Sequence, residues 1–274
     1  MGTSTSSSGP NSGVPMVPPW VPPPPDGENG NDDESSDGSA GGRTEPVLLA
    51  PARRFRPSRT SLGQYARTGS LDKMRSGVGH YVGKGLGGAG TATRRFGGTA
   101  ATAGRLYRAL SSAPSGQVIG LDRDFDTTVL AGSTANEVMD ALVEAVRPTD
   151  GTQDSEASRV AIREALSELL NRYPNSDLLN LSDPERIFAI EQYVAVDVYN
   201  RFSLDVGLAI KDNAPDASSA LDRLKLAKEY IKETVASAFR RVFDSEGSLT
   251  VRRIANLVSR ALQETFRVFA DYVQ

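Results

Sequence analysis

The chain has 274 residues, a formal net charge of −3, one histidine and no cysteine. That length allows one or two domains. The absence of cysteine excludes disulfides, thiolate catalysis and cysteine-bound metal. There is no basic-then-apolar leader and no apolar run approaching 18 residues, so neither export nor a membrane span is expected, and the composition fits a cytoplasmic protein.

Charge is strongly segregated. Residues 26–45 carry seven acidic groups and one basic, residues 46–112 carry twelve basic and one acidic, and residues 113–274 are net acidic again. Three regions with different partners follow from that pattern: 1–45 as a disordered tail and acidic linker, 46–112 as a basic Gly-rich segment, and 113–274 as a helical bundle.

The first 13 residues are Ser, Gly and Thr for the most part and read as a flexible tether. Residues 14–25 hold seven prolines and Trp20. They read as polyproline II, either a stiff spacer or a recognition segment anchored by Trp20. Behind a removable Met1, Gly2 offers an unhindered α-amine, and such an amine titrates near pH ~8. Val47, Leu48 and Leu49 then form a short apolar anchor ahead of Arg53, Arg54, Phe55, Arg56 and Arg59.

Ten glycines crowd residues 77–104. Each costs up to ~1 kcal/mol in a helix interior, so their density indicates either a loop or close backbone packing against another surface. Two helices are expected, about 71–84 and 97–112, broken at Gly85–Gly90. Gln117–Leu121 and Thr127–Leu130 are strand-like but too short and too few to predict a sheet.

From residue 133 the pattern is helical. Thr134 and Glu137 form a capping-box signature, followed by Val138, Leu142, Val143 and Val146 at helical spacing. Ile162, Ala165, Leu166, Leu169 and Leu170 share one face of a helix over 155–172. Ser182-Asp183-Pro184-Glu185 is a helix start, and the helix behind it is expected to run to about 212. Two stripes, Ile187/Ile190/Val194/Val198/Phe202 and Phe188/Ala195/Tyr199/Val206, place it centrally, buried on two sides. Residues 217–244 and 249–273 are expected to pair as an antiparallel hairpin in a mostly α fold.

Catalytic and metal signatures are absent or incomplete. Gly83-Lys84-Gly85-Leu86-Gly87-Gly88 matches the dinucleotide fingerprint, but no strand precedes it and no acid lies between Asp72 and Asp122 to hold a ribose. His80 alone cannot build a structural zinc site. Asp122, Asp124 and Asp126 begin like a calcium loop, yet Thr127 and Ser133 occupy the positions that need Gly and Glu. They read as a capped, solvated turn. No nucleophile, base and orienting group come together, so no enzyme, cofactor or metal is expected. The basic segment 53–108 could meet phosphates through Arg53, Arg54, Arg56, Arg59, Arg94, Arg95, Arg105 and Arg108, interleaved with Phe55, Phe96 and Tyr107, which makes a nucleic-acid-binding adaptor the alternative function.

The opening Met1-Gly2-Thr3-Ser4-Thr5-Ser6, the Val17-Pro18-Pro19-Trp20 stretch and the block from Gly77-Val78-Gly79-His80-Tyr81 to Arg94-Arg95-Phe96-Gly97-Gly98 together resemble the QatB family of the bacterial Qat anti-phage defence system. The resemblance runs from the N-terminus to about residue 110. It implies three partners: the ATPase QatA, the QueC-like enzyme QatC and the TatD-like nuclease QatD. It also implies that the QueC-like partner attaches a 7-deazaguanine group to a terminal glycine, and Gly2 is the matching position. Met1, Gly2, Thr3, Ser4, Pro18, Pro19 and Trp20 are then the expected partner-binding residues. The residues agree with that role: Thr3 to Gly9 present only small side chains to a narrow channel, and the Pro/Trp run could dock on an enzyme rim and raise the tail's effective concentration. The same opening satisfies the N-myristoylation pattern. That rival needs a eukaryotic transferase, and an acidic linker separates the acceptor from the basic cluster that would supplement a single acyl chain.

Overall fold

The computed structural model of the protein describes residues 13–19, 21–22, 48–118, 121, 125–244 and 250–273. The first helix, α1 (Arg56–Thr68), has Pro57 in its first turn, where a missing N–H costs nothing. It ends on Gly69 at φ 73°, whose N–H returns to the Tyr65 carbonyl. No element is assigned to this stretch from the sequence, where arginines and Pro57 stand out, and α1 has no counterpart among the predicted elements. Helix α2 (Leu71–His80) runs into a π-helical turn, Tyr81–Gly85, in good agreement with the expected 71–84. The chain then breaks at Gly87 and Gly88, both with positive φ. A further short helix, α3 (Ala89–Arg95), precedes α4 (Gly97–Ser112).

Both readings of the glycines hold, at different positions. Gly87 and Gly88 make the break. Gly77 and Gly79 serve close packing: a Cβ on Gly77 would lie 2.6 Å from Leu62, and one on Gly79 would lie 2.8 Å from the Phe269 carbonyl oxygen. Helix α2 can therefore lie directly against α1 and against the end of the last helix. The buried Ser58 hydroxyl donates to the Gly77 carbonyl at 2.7 Å, made possible by that approach.

Between residues 113 and 134 the structure has only a minimal ladder. Gln117–Val118 (β1) pairs antiparallel with Phe125–Asp126 (β2), with Val118 opposite Phe125. Thr128–Leu130, expected to be strand-like, is instead a 3-10 turn. Its start is fixed by Asp126, whose carboxylate accepts from the Thr128 amide at 2.9 Å and hydroxyl at 2.6 Å, and these bonds lower the pKa of Asp126. Asp122 and Asp124 lie outside the described residues.

The C-terminal helices follow their caps. Helix α5 (Ala135–Val146) opens on the predicted box: the Glu137 amide donates to the Thr134 hydroxyl, and the Thr134 amide to the Glu137 carboxylate. Helix α6 is Gln153–Arg172. In α7 (Asp183–Phe202) the Ser182 amide donates to Glu185 at 2.7 Å. The helix expected to reach 212 is interrupted by a π turn at Ser203–Gly207 before α8 (Leu208–Lys211). Helices α9 (Ala217–Phe243) and α10 (Val251–Ala270) pack together in opposite directions. Arg241 near the end of α9 meets Glu264, while Tyr230, earlier in α9, meets Tyr272 beyond the end of α10.

One continuous hydrophobic core runs from Phe55 to Phe269, so the Gly-rich segment and the C-terminal helices share it. Helix α7 packs against α4, α6 and α9, and α10 packs against α2, α3, α4 and α9. Ile190, Val194, Val198 and Phe202 are buried along the predicted stripe. Each such side chain contributes about 1.5–3 kcal/mol by leaving water.

Candidate functional site

The described part of the N-terminal tail lies along the folded body. The Gly13 amide donates to the Ala50 carbonyl at 2.9 Å, the Ala50 amide to Val14 at 2.8 Å, and the Met16 amide to Leu48 at 2.8 Å. Pro15 and Leu49 form the antiparallel bridge between them. Side chains alternate across such a pair. Met16 and Ala50 point inward, each 2% exposed, and Leu49 points outward at 55%. Farther on, the Val21 amide returns to the Pro18 carbonyl at 3.1 Å. We call this paired segment, residues 13–16 with 48–50, the clasp.

Two glycines of the basic segment make room for it. A Cβ on Gly87 would sit 2.7 Å from the Met16 methyl, and one on Gly97 would sit 2.5 Å from the Pro22 carbonyl oxygen. Two arginines hold Met16 from below. Arg54 Nη1 donates to the Met16 sulfur at 3.0 Å, and Arg95 Nη1 donates to the Met16 carbonyl at 3.3 Å. Arg54 is 5% exposed and lies over the Phe55 ring at 4.8 Å. Its Nε and Nη2 are buried without a hydrogen-bond partner. Burial, reinforced by Arg95, lowers its pKa.

Behind the clasp lies a buried polar network. The Tyr81 hydroxyl donates to Asp205 Oδ2 at 3.0 Å. Burial pushes the Asp205 carboxyl up, opposed by Arg95, the Tyr81 bond and Arg54. Deeper still, Asp197 accepts from the Thr99 hydroxyl at 2.6 Å and from Arg201 Nε at 3.1 Å, and Arg201 Nη1 reaches Asp154 at 3.1 Å. Burial alone would strip charge from Arg201, but Asp197 and Asp154 more than reverse this and hold the guanidinium charged. The three arginines and three aspartates nearly cancel, which is how a helical core accommodates them.

Of the expected partner-binding residues, Pro18 is half-buried and Pro19 exposed next to the clasp, while Met1, Gly2, Thr3, Ser4 and Trp20 lie outside the described residues. Part of the basic segment is turned into the body. Phe55, Phe96 and Tyr107 are 3%, 1% and 6% exposed, so they are core side chains on which no base can stack. Arg59 donates to the Asp205 carbonyl and Arg105 to the Val146 carbonyl. With Arg54 and Arg95 turned toward Met16, at least four of the eight arginines are engaged within the chain.

The other motifs resolve structurally. Gly83–Gly88 spans a π turn and a break preceded by a helix, so the strand that a dinucleotide fold requires is not there. His80 ends α2, and burial, then Lys84, lowers its pKa. Among the described residues no group of three or more His, Asp or Glu could hold a metal ion, and no helix is long and apolar enough to cross a membrane. A cavity of about 490 Å³ opens between the start of α6 and the end of α7, lined by Glu156, Val160, Asn200, Leu204, Leu208 and Lys211 among others.

The sequence offers Arg54 and Arg95 as phosphate contacts and Gly87 as part of a fingerprint, and does not bring them together with Met16 and Gly97. The available signal was the glycine density, which did indicate close packing, and one methionine inside a proline run. Replacing Met16 with alanine is expected to loosen the clasp by about 2 kcal/mol or more. Hydrogen exchange at the Ala50 amide should then quicken about thirtyfold while the helical body melts as before. Unchanged exchange at Ala50 would show that Met16 does not hold the clasp.

No curated protein and no solved structure matches the chain. A family model, that of the Qat anti-phage system associated protein QatB, matches residues 87–269, beginning at the glycine that seats Met16 and ending at the Phe269 whose carbonyl faces Gly79. A match over that much of the chain, on the helices that form its core, shows that the protein belongs to the QatB family and is a component of an anti-phage defence system.

Proposed function

We propose that this defence component is not an enzyme and serves as the substrate of one: after Met1 is removed, a QueC-like partner, QatC, joins an ATP-activated carboxyl of a 7-deazaguanine to the α-amine of Gly2 as an amide, the activating nucleotide leaving and the amine losing a proton. The observation that carries this reading is the clasp, which grips the root of the tail at Gly13–Met16 and leaves twelve residues ahead of it. Among them Thr3 to Gly9 carry only small side chains and suit a narrow channel. A fraction of an α-amine with a pKa near ~8 is the neutral nucleophile at cellular pH. In this reading residues 1–45 are the presented tail, 46–112 the support that grips its root, and 113–274 the bundle behind it. Pro18, Pro19 and Trp20 meet the enzyme's rim. The ATPase QatA and the TatD-like nuclease QatD complete the system in the cytoplasm.

Gly2→Trp tests the idea in a complete system. The indole side chain blocks removal of Met1 and cannot follow the small residues into a channel. Protection against phage is expected to be lost while the purified variant melts at the parent's temperature. Full protection by this variant would overturn the proposal.

A further inference from the structure

We propose that the exposed apolar surface of the clasp, Leu49 on its outer side with Val14 and Leu48 at its edges, is the docking surface for the enzyme that acts on Gly2. This rests on the reading above and adds the place where that enzyme binds.

The inner side of the clasp is closed by Met16, Ala50, Gly87 and the two arginines. The outer side carries Pro15 and Leu49, the latter 55% exposed, while Val14 and Leu48 share the face of Met16 and Ala50 and stay 36% and 52% exposed at its edges, Leu48 beside Gly87. Three exposed apolar side chains on a pair held by three backbone hydrogen bonds leave apolar area in contact with water. Among the described residues no sheet extends this bridge, which by itself contributes little to the core. Its apolar exterior is therefore poorly explained by folding alone.

Chain length names the occupant. Gly2 lies eleven residues ahead of Gly13. At about 3.3–3.6 Å per residue the tether reaches at most about 40 Å. An enzyme that encloses Gly2 and the small residues behind it must place its active site within that radius of the clasp. The surface from which the tail departs is the one it meets first. Docking there turns capture of the tail into an intramolecular step.

Charge narrows the partner's chemistry. Arg53 and Arg56 are exposed beside the clasp, and Arg53 is held at φ 55°, a conformation that a non-glycine residue adopts at a cost. That geometry accompanies Arg54 turning inward beneath Met16. The complementary face is an apolar patch edged by carboxylates.

The test uses the full chain and the purified QueC-like partner. Leu48→Asp/Leu49→Asp alters exposed side chains and places charge where an apolar contact is expected. Its Kd for the partner, measured by calorimetry, should rise at least tenfold, and modification at limiting partner should slow in proportion. As a second measurement, hydrogen exchange on the unmutated chain should show the amides of residues 48–50 gaining protection when the partner binds. Parent-like affinity in the double variant, or no added protection at 48–50, would overturn the docking surface while leaving Gly2 modification standing. An unmodified Gly2 in the parent would remove the reading beneath it, and the affinity measurement would still decide whether the clasp is an interface.

Discussion

Replacing Arg201 with methionine is expected to lower the free energy of unfolding by about 3–5 kcal/mol, read from urea denaturation. Arg201 is 8% exposed and Asp197 fully buried. The guanidinium binds Asp197 and Asp154 and lies over the Phe96 ring at 5.1 Å. Methionine has a similar length and keeps much of the packing, but it leaves Asp197 with the Thr99 hydroxyl as its remaining partner. One oxygen of Asp197 already has no hydrogen-bond partner. Burial pushes this carboxyl's pKa up even with Arg201 present, so without Arg201 it must take up a proton or remain as an isolated buried charge. A loss below about 1 kcal/mol would mean that water reaches the pair and that the network contributes little.

Phe266→Ala should destabilise by a similar amount, about 3–5 kcal/mol, through the transfer free energy of the ring and the cavity it leaves. Phe266 is fully buried, and its ring lies 5.1 Å from Phe96, tilted by 59°. Phe96 is the same ring that carries Arg201. The two substitutions therefore share a neighbour, and the double variant is expected to lose less than the sum of the single losses. Strict additivity would show that the Phe96 ring does not connect the two sites. Chemical denaturation of the four proteins of this cycle decides it.

The helical half was legible because its signals are local. Thr134 with Glu137 and Ser182 with Glu185 fix helix starts within one turn, and the stripe from Ile190 to Phe202 declares a buried face without knowledge of what covers it. Helix α1 was not legible, because Pro57 and four flanking arginines resemble a loop until Leu62, Tyr65 and Ala66 find the core. The break at Ser203–Gly207 was missed because the apolar pattern continues through it to Val206 and Ile210. The clasp depends on pairing residues 13–16 with 48–50, across a stretch with no shared periodicity, so local pattern could not reveal it. Arg54 and Arg95 read as surface charge for the same reason, since composition counts charges without placing them. The family resemblance, first drawn on the tail and the Gly-rich block, is matched by the helices from Gly87 onward.

The decisive measurement is the mass of the N-terminal peptide, taken from the protein made alone and from the protein made beside its QueC-like neighbour. The expected result is loss of Met1 in both and a deazapurine-sized addition on Gly2 only when the neighbour is present. An unmodified Gly2 in a complete system that protects cells from phage would contradict the proposal that the tail is a substrate.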